Sequence, residues 1–120
     1  MASQKFSASA RLHARAEFLD VQNTGRRVSA RFVTLLGKPN TRGRDRLGIV
    51  ASRRVGGAVI RNRAKRRLRE VFRQYLSAET AAPGPPLDLV VIARTGVVDA
   101  PFDALRADFQ AALRKLRGAR

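Results

Sequence analysis

After Gly57 the apolar residues Ile60, Ala64, Leu68, Val71 and Tyr75 recur at spacings of four, four, three and four. That is one stripe of a helix with about 3.6 residues per turn, and it predicts a helix running to about Leu76. The rest of the segment is almost wholly cationic: nine Lys and Arg fall between Arg53 and Arg73, with Glu70 as the only acid among them. At about 100° per residue, Asn62, Lys65, Arg66, Arg69 and Arg73 gather on one flank of the stripe, while Arg63 and Arg67 fall on the other. A helix of this kind must bury one seam against another layer and keep positive charge on both sides of it.

The other elements supply that layer. Phe18 and Val21, at helical spacing before Gly25, predict a helix over about Ala14 to Asn23. Val28 to Leu36 alternates in the manner of a strand. Gly37 to Arg46, which holds Pro39, Asn40 and Gly43, reads as a turn, and Leu47 to Ser52 as a second strand. Ala-Pro-Gly-Pro-Pro within Ser77 to Pro86 forbids continued helix and marks a loop. The apolar run Leu87 to Ala93 fits a strand buried on both faces. A last helix begins near Asp99 and Pro101, with a core stripe of Phe102, Leu105, Phe109, Leu113 and Leu116. The expected fold is α+β, a two-layer sandwich in which a mixed sheet of three to four strands is covered by three helices. The 120 residues suit one domain, with residues 1–10 extended or flexible and Arg117 at a frayed C-terminal end.

Charge then narrows the partner. A formal net charge of +16 on 120 residues is self-repelling in a compact body and calls for a polyanion. Nucleic acid fits best, because neutralising phosphates releases condensed counterions. The excess of Arg over Lys suits it further, since a guanidinium fork meets phosphate oxygens bidentately. A membrane surface is the weaker candidate, because Trp is absent and no run approaches the roughly 20 apolar residues of a span. The absence of Cys excludes disulfides and thiolate metal sites. Met1 to Ala16 lacks the apolar core of a secretory signal, so a cytoplasmic protein is expected. Arg53 and Arg54 close the second strand, and Gly56 and Gly57 turn the chain into the helix. That junction reads equally as a tight turn or as a phosphate seat at a helix start.

The stretch Leu47 to Phe72, LGIVASRRVGGAVIRNRAKRRLREVF, closely resembles the signature of the bacterial ribonuclease P protein subunit family, whose hallmark is Arg-Asn-Arg in a basic helix. Weaker likeness lies in Arg11-Leu12, Glu17-Phe18, Arg31-Phe32-Val33 and Asp88 to Arg94. The resemblance implies a fold like the second domain of ribosomal protein S5, with a left-handed β-α-β crossover through the basic helix, where the general rule gives the opposite hand. It implies that Arg61, Asn62, Arg63, Lys65, Arg66 and Arg69 bind the catalytic RNA subunit. Arg53, Arg54 and Arg73 join this RNA-binding set by their charge. It also implies that the cleft between the first helix and the sheet holds the single-stranded 5′ leader of precursor tRNA, lined by Phe18 and Phe32. Aromatic rings there would stack bases with little sequence preference. From helical spacing alone, Phe18 is as well read as a core side chain. Gln22 stands where many family members carry a second aromatic, so an amide hydrogen bond is expected in place of stacking.

A protein nuclease needs clustered carboxylates or a His pair. Here the single His13 lies near the N-terminus and the nine acids are scattered singly. Asp99 and Asp103 suit the positive end of a helix. No catalytic residue is therefore expected in the protein, and the resemblance assigns hydrolysis to Mg²⁺ held by the RNA, with Asn62 as a possible helper in ordering a metal-bound water. The expected partners are the catalytic RNA and precursor tRNA, with no membrane and no obligate protein partner. Two other readings explain the charge: a structural RNA-binding protein such as a small ribosomal protein, and a non-specific DNA-compacting protein. Neither explains the string from Gly56 to Arg63.

Overall fold

The computed structural model describes residues 11–12, 15–41, 43–77 and 86–118. Their order is α1 (Arg15–Thr24), β1 (Arg26–Ser29), β2 (Val33–Pro39), β3 (Arg46–Val50), α2 (Ala58–Ser77), β4 (Leu87–Ala93) and α3 (Phe102–Leu116). The four strands form one mixed sheet in the order β1-β2-β4-β3. β1 and β2 form an antiparallel hairpin, β2 and β4 are antiparallel, and β3 and β4 lie parallel with α2 as the connection between them. A parallel neighbour pair requires such a crossover, because no tight turn can return the chain to the same end of the sheet. Arg11 extends the outer edge of β3 by a parallel bridge to Leu47.

Each strand divides its side chains between two faces. Val33, Leu35, Leu47, Leu89 and Val91 face α2 and α3, where they meet Leu68, Val71, Phe72, Leu105 and Phe109 in the main core. Leu36 and Val90 point the other way and bury Val21 of α1, with Leu12 alongside. The sheet and the α2–α3 pair are thus the two layers, and α1 lies on the opposite face. β4 is buried on both faces, as its apolar run predicts: Leu89, Val90 and Val91 are fully buried.

Two expected boundaries are corrected. The single strand over Val28 to Leu36 is two strands joined by a bend at residues 30–32. No Gly or Pro announces that bend, because distant groups hold it. The Asp108 carboxylate on α3 accepts the backbone N–H groups of Arg31 and Phe32, and Ala30 accepts a hydrogen bond from the Arg94 guanidinium. The predicted turn from Gly37 to Arg46 is shorter, since Gly37 to Pro39 complete β2 and Arg46 opens β3. The loop expected over Ser77 to Pro86 falls mostly outside the described residues, as do His13 and the first ten residues.

Candidate nucleic-acid interface

Tertiary contacts sort the cations of α2 into three rows. Ala64, Leu68, Val71 and Phe72 seat the helix on the sheet. Lys65 and Arg69, one turn apart, line a notch of about 160 Å³ with Arg11, Leu12, Phe18, Leu47, Gly48 and Ile49. Arg61 continues this row toward the helix start, and its buried Nε has no hydrogen-bond partner. Asn62, Arg63 and Arg66 are exposed on the outer surface. Val59 is 71% exposed beside them.

The third row faces α3 and is occupied. Arg67 donates from Nη1 to the carbonyls of Val97 and Val98 and from Nη2 to that of Ala100, and its guanidinium stacks over Phe102. The flank that the sequence assigns to free positive charge is therefore half structural: Arg67 braces the β4–α3 connection. Arg73 is also drawn aside, since its Nε and Nη2 meet both oxygens of Glu70 at 2.9 and 2.6 Å. Its hydrogen bonds to the Glu70 carboxylate raise the Arg73 pKa and hold the carboxyl below its ordinary range. Of the expected RNA-binding set, Arg73 is the member least available to phosphate.

Arg53, Arg54 and Val55 form the turn into α2, closed by hydrogen bonds from Val55 N to Ser52 O and from Gly56 N to Arg53 O. Gly56 sits at φ +149°, and a Cβ there would stand 2.8 Å from Ile60, so both backbone angle and space demand glycine. Arg53 and Arg54 remain exposed. The first N–H groups of α2 precede the bond from Arg61 N to Gly57 O and have no acceptor within the helix.

On the opposite face α1 covers only part of the sheet. The Phe18 ring lies on β3, where a Cβ at Gly48 would come within 2.5 Å of it. That close approach explains the glycine and makes Phe18 a wall. One side of the ring bounds the notch with Lys65 and Arg69. The other bounds a groove of about 400 Å³ lined by Arg15, Phe18, Leu19, Gln22 and Val50. Val50 stands beside Ile92 in the parallel register, and Ile92 lines the adjoining cavity of about 450 Å³ with Ser52, Arg54, Ala93, Arg94 and Thr95. Val50 and Ile92 thus give this face exposed apolar surface, with Arg15 at one cavity and Arg54 and Arg94 at the other.

Phe18 and Gln22 are brought together in this groove, and Phe32 is not. Phe32 sits in the β1–β2 bend, packs against the core on the α2–α3 side, carries the Arg31 guanidinium 5.1 Å from its ring centre, and is fixed by Asp108. It does not line the groove that Phe18 and Gln22 share, and it lies between β1 and β2 rather than inside one strand. Arg11, Arg15 and Arg94 belong to the surface and escaped the sequence reading. Arg11 and Arg94 stand in stretches of weaker family likeness without an assigned role, and Arg15 is signalled only by the overall charge, because their neighbours come from distant segments.

The acids are largely committed elsewhere. Arg46, with its side chain 8% exposed, donates from Nε and Nη2 to both oxygens of Asp88 at 2.8 Å and from Nη1 to Glu17 at 3.1 Å. The hydrogen bonds to Asp88 raise its pKa, and the bridge ties α1 to β3 and β4 just beside Phe18. Asp20 pairs with Lys38 at 2.7 Å, and Asp103 with Arg106 at 2.9 Å. Asp45 accepts from Tyr75 Oη, Leu87 N and Arg117 Nη2. Arg117 is therefore not at a frayed end, its side chain being 9% exposed. Among the described residues no group of three His, Cys, Asp or Glu could hold a metal ion, and no helix is long and apolar enough to cross a membrane.

The chain matches the family model described as Ribonuclease P over residues 6–117. It is 43% identical to the ribonuclease P protein component of Chloroflexus aurantiacus over 106 residues, covering 88% of this chain and 76% of that protein. It is 41% identical to that of Gluconacetobacter diazotrophicus over 116 residues, covering 91% and 94%. Among solved structures, the RNase P protein of Thermotoga maritima superposes with a TM-score of 0.76 at 29% identity, covering 90% of this chain and 98% of that one. The RNase P protein of Staphylococcus aureus gives 0.75 at 28%, covering 91% and 98%.

Proposed function

The chain belongs to the ribonuclease P protein family, and from that premise we propose that it is the protein subunit of the ribonuclease P ribonucleoprotein, binding both the catalytic RNA and the 5′ leader of precursor tRNA in the cytoplasm. The observation that carries this reading is that Phe18 walls both a groove of about 400 Å³ and the notch that holds Lys65 and Arg69, for which no side-chain partner occurs among the described residues. Bases stack on aromatic and apolar walls without sequence preference, while Arg and Lys follow the phosphates.

The protein's share is positional and electrostatic. Phe18, Val50 and Ile92 receive bases, Gln22 offers an amide donor and acceptor, and Arg54, Arg94, Lys65 and Arg69 offset phosphate repulsion at the two ends. The hydrolysis that frees the tRNA 5′ end is assigned to the RNA and its Mg²⁺. Among the described residues the carboxylates do not fit such an ion: Glu17, Asp45, Glu70 and Asp88 are turned onto guanidinium groups, and no group of three His, Cys, Asp or Glu could hold a metal.

The test is to add the protein to transcribed ribonuclease P RNA and precursor tRNA at low Mg²⁺. Cleavage at the mature 5′ end is expected to rise with protein concentration to a stoichiometric plateau. Cleavage that stays at the level of the RNA alone overturns the reading.

A further inference from the structure

Resting on that reading, we infer that α2 serves two different RNAs: its groove-side row of Arg61, Lys65 and Arg69 takes the backbone of the substrate leader, while its outer row of Asn62, Arg63 and Arg66 docks the folded catalytic RNA. The family resemblance alone assigns all six to one partner. Three features of the structure divide them.

First, Lys65 and Arg69 share the notch with Phe18, and Phe18 also walls the groove. A strand whose bases lie in the groove therefore has its next phosphates at these two side chains. The outer row borders neither cavity and faces open solvent, as a surface meeting a rigid RNA helix must. Second, the buried Nε of Arg61 lacks a hydrogen-bond partner, at the end of the same inner row. A buried donor left unpaired costs free energy, and a phosphate oxygen entering along the row would pair it. Third, no side-chain partner for Lys65, Arg69, Arg63 or Arg66 occurs among the described residues. Both rows are thus free to bind, unlike Arg67 and Arg73. A single extended strand fits a row one residue wide beside a wall. A folded RNA needs the broader exposed face, where Val59 adds apolar surface against sugars.

The experiment uses reconstituted holoenzyme with two paired variants, Lys65→Gln with Arg69→Gln and Arg63→Gln with Arg66→Gln. Gln nearly matches Lys and Arg in helix propensity, and thermal unfolding confirms that each pair folds. Two quantities are measured: affinity of the protein for the catalytic RNA, and the ratio of holoenzyme affinities for precursor and mature tRNA. The inner pair is expected to lower the precursor preference by about tenfold, and the outer pair to weaken assembly by about tenfold, as suits the loss of charge-assisted contacts. Equal effects of the two pairs on both quantities overturn the division. Phe18→Ala separates the two levels of argument. If it abolishes the precursor preference while the inner pair does not, the division fails and the groove stands. If neither changes the preference, the groove reading falls and the division falls with it.

Discussion

The two faces of the sheet are made by the same strands and treated in opposite ways. On the α2–α3 face, every inward residue of β4 is buried, and Phe72, Tyr75 and Phe109 pack tilted and edge-on with centroids 5.9 to 6.5 Å apart. On the α1 face one short helix covers only part of the surface and leaves Val50 and the Phe18 ring at one cavity and Ile92 at a second. The cations divide less cleanly. Arg67, Arg106 and Arg117 brace the closed side, Lys38 and Arg46 hold α1 through Asp20, Glu17 and Asp88, and Lys65 and Arg69 at the groove have no side-chain partner among the described residues. The lesson is that charge of one sign within 120 residues is only partly functional, and that tertiary contacts decide which part.

The largest expected effect lies on the closed face. Phe72→Ala should destabilise the fold by about 3 to 5 kcal/mol, the usual cost of emptying a packed aromatic site, measured by denaturant unfolding. Phe18→Ala on the open face should cost clearly less, and equal losses would erase the contrast. Next comes Arg117→Ala, which strands the Asp45 carboxylate and should cost about 3 kcal/mol. Arg66→Ala, on the outer face, should stay within about 0.5 kcal/mol of the parent. Matching values for the two would mean that Arg117 is as free as Arg66.

Gly48→Ala sharpens the comparison from the groove side. The added methyl displaces the Phe18 ring at a stability cost of about 1 kcal/mol, and precursor preference is expected to fall with it; an unchanged preference would detach the ring's seat from leader binding. The smallest effect is spectroscopic. Burial raises the pKa of Tyr75, the only tyrosine, with the Asp45 carboxylate adding to the shift. Its contribution to stability is complete below the ordinary phenol value and is lost as pH rises through the raised one. Absorbance titration should place its midpoint above that of an unfolded control, and coincident midpoints would contradict the buried network.

Much of the fold was legible because it follows from local periodicity. The α2 stripe, the β4 run and the α3 stripe lie where their patterns put them. The β1–β2 bend was not legible, because Asp108 and Arg94, far along the chain, hold it in place of a local turn residue. At the site, the composition of α2 marked a nucleic-acid helix, but helical geometry alone could not tell Arg67, which reaches three carbonyls of the β4–α3 connection, from Arg66, which reaches none among the described residues. The position of Phe32 in that bend, packed against the main core, was equally hidden. Gly48 was marked only by the family resemblance, since its physical reason is a ring from α1.

The central claim is that the groove and its cations hold the single-stranded leader, and it is tested most directly by leader length. Holoenzyme and RNA alone are titrated with precursor tRNAs carrying leaders of increasing length and with mature tRNA. The account predicts that the protein tightens binding progressively as the leader grows to fill the groove, and leaves mature tRNA almost unaffected. An equal gain for mature tRNA and for every leader length would contradict it.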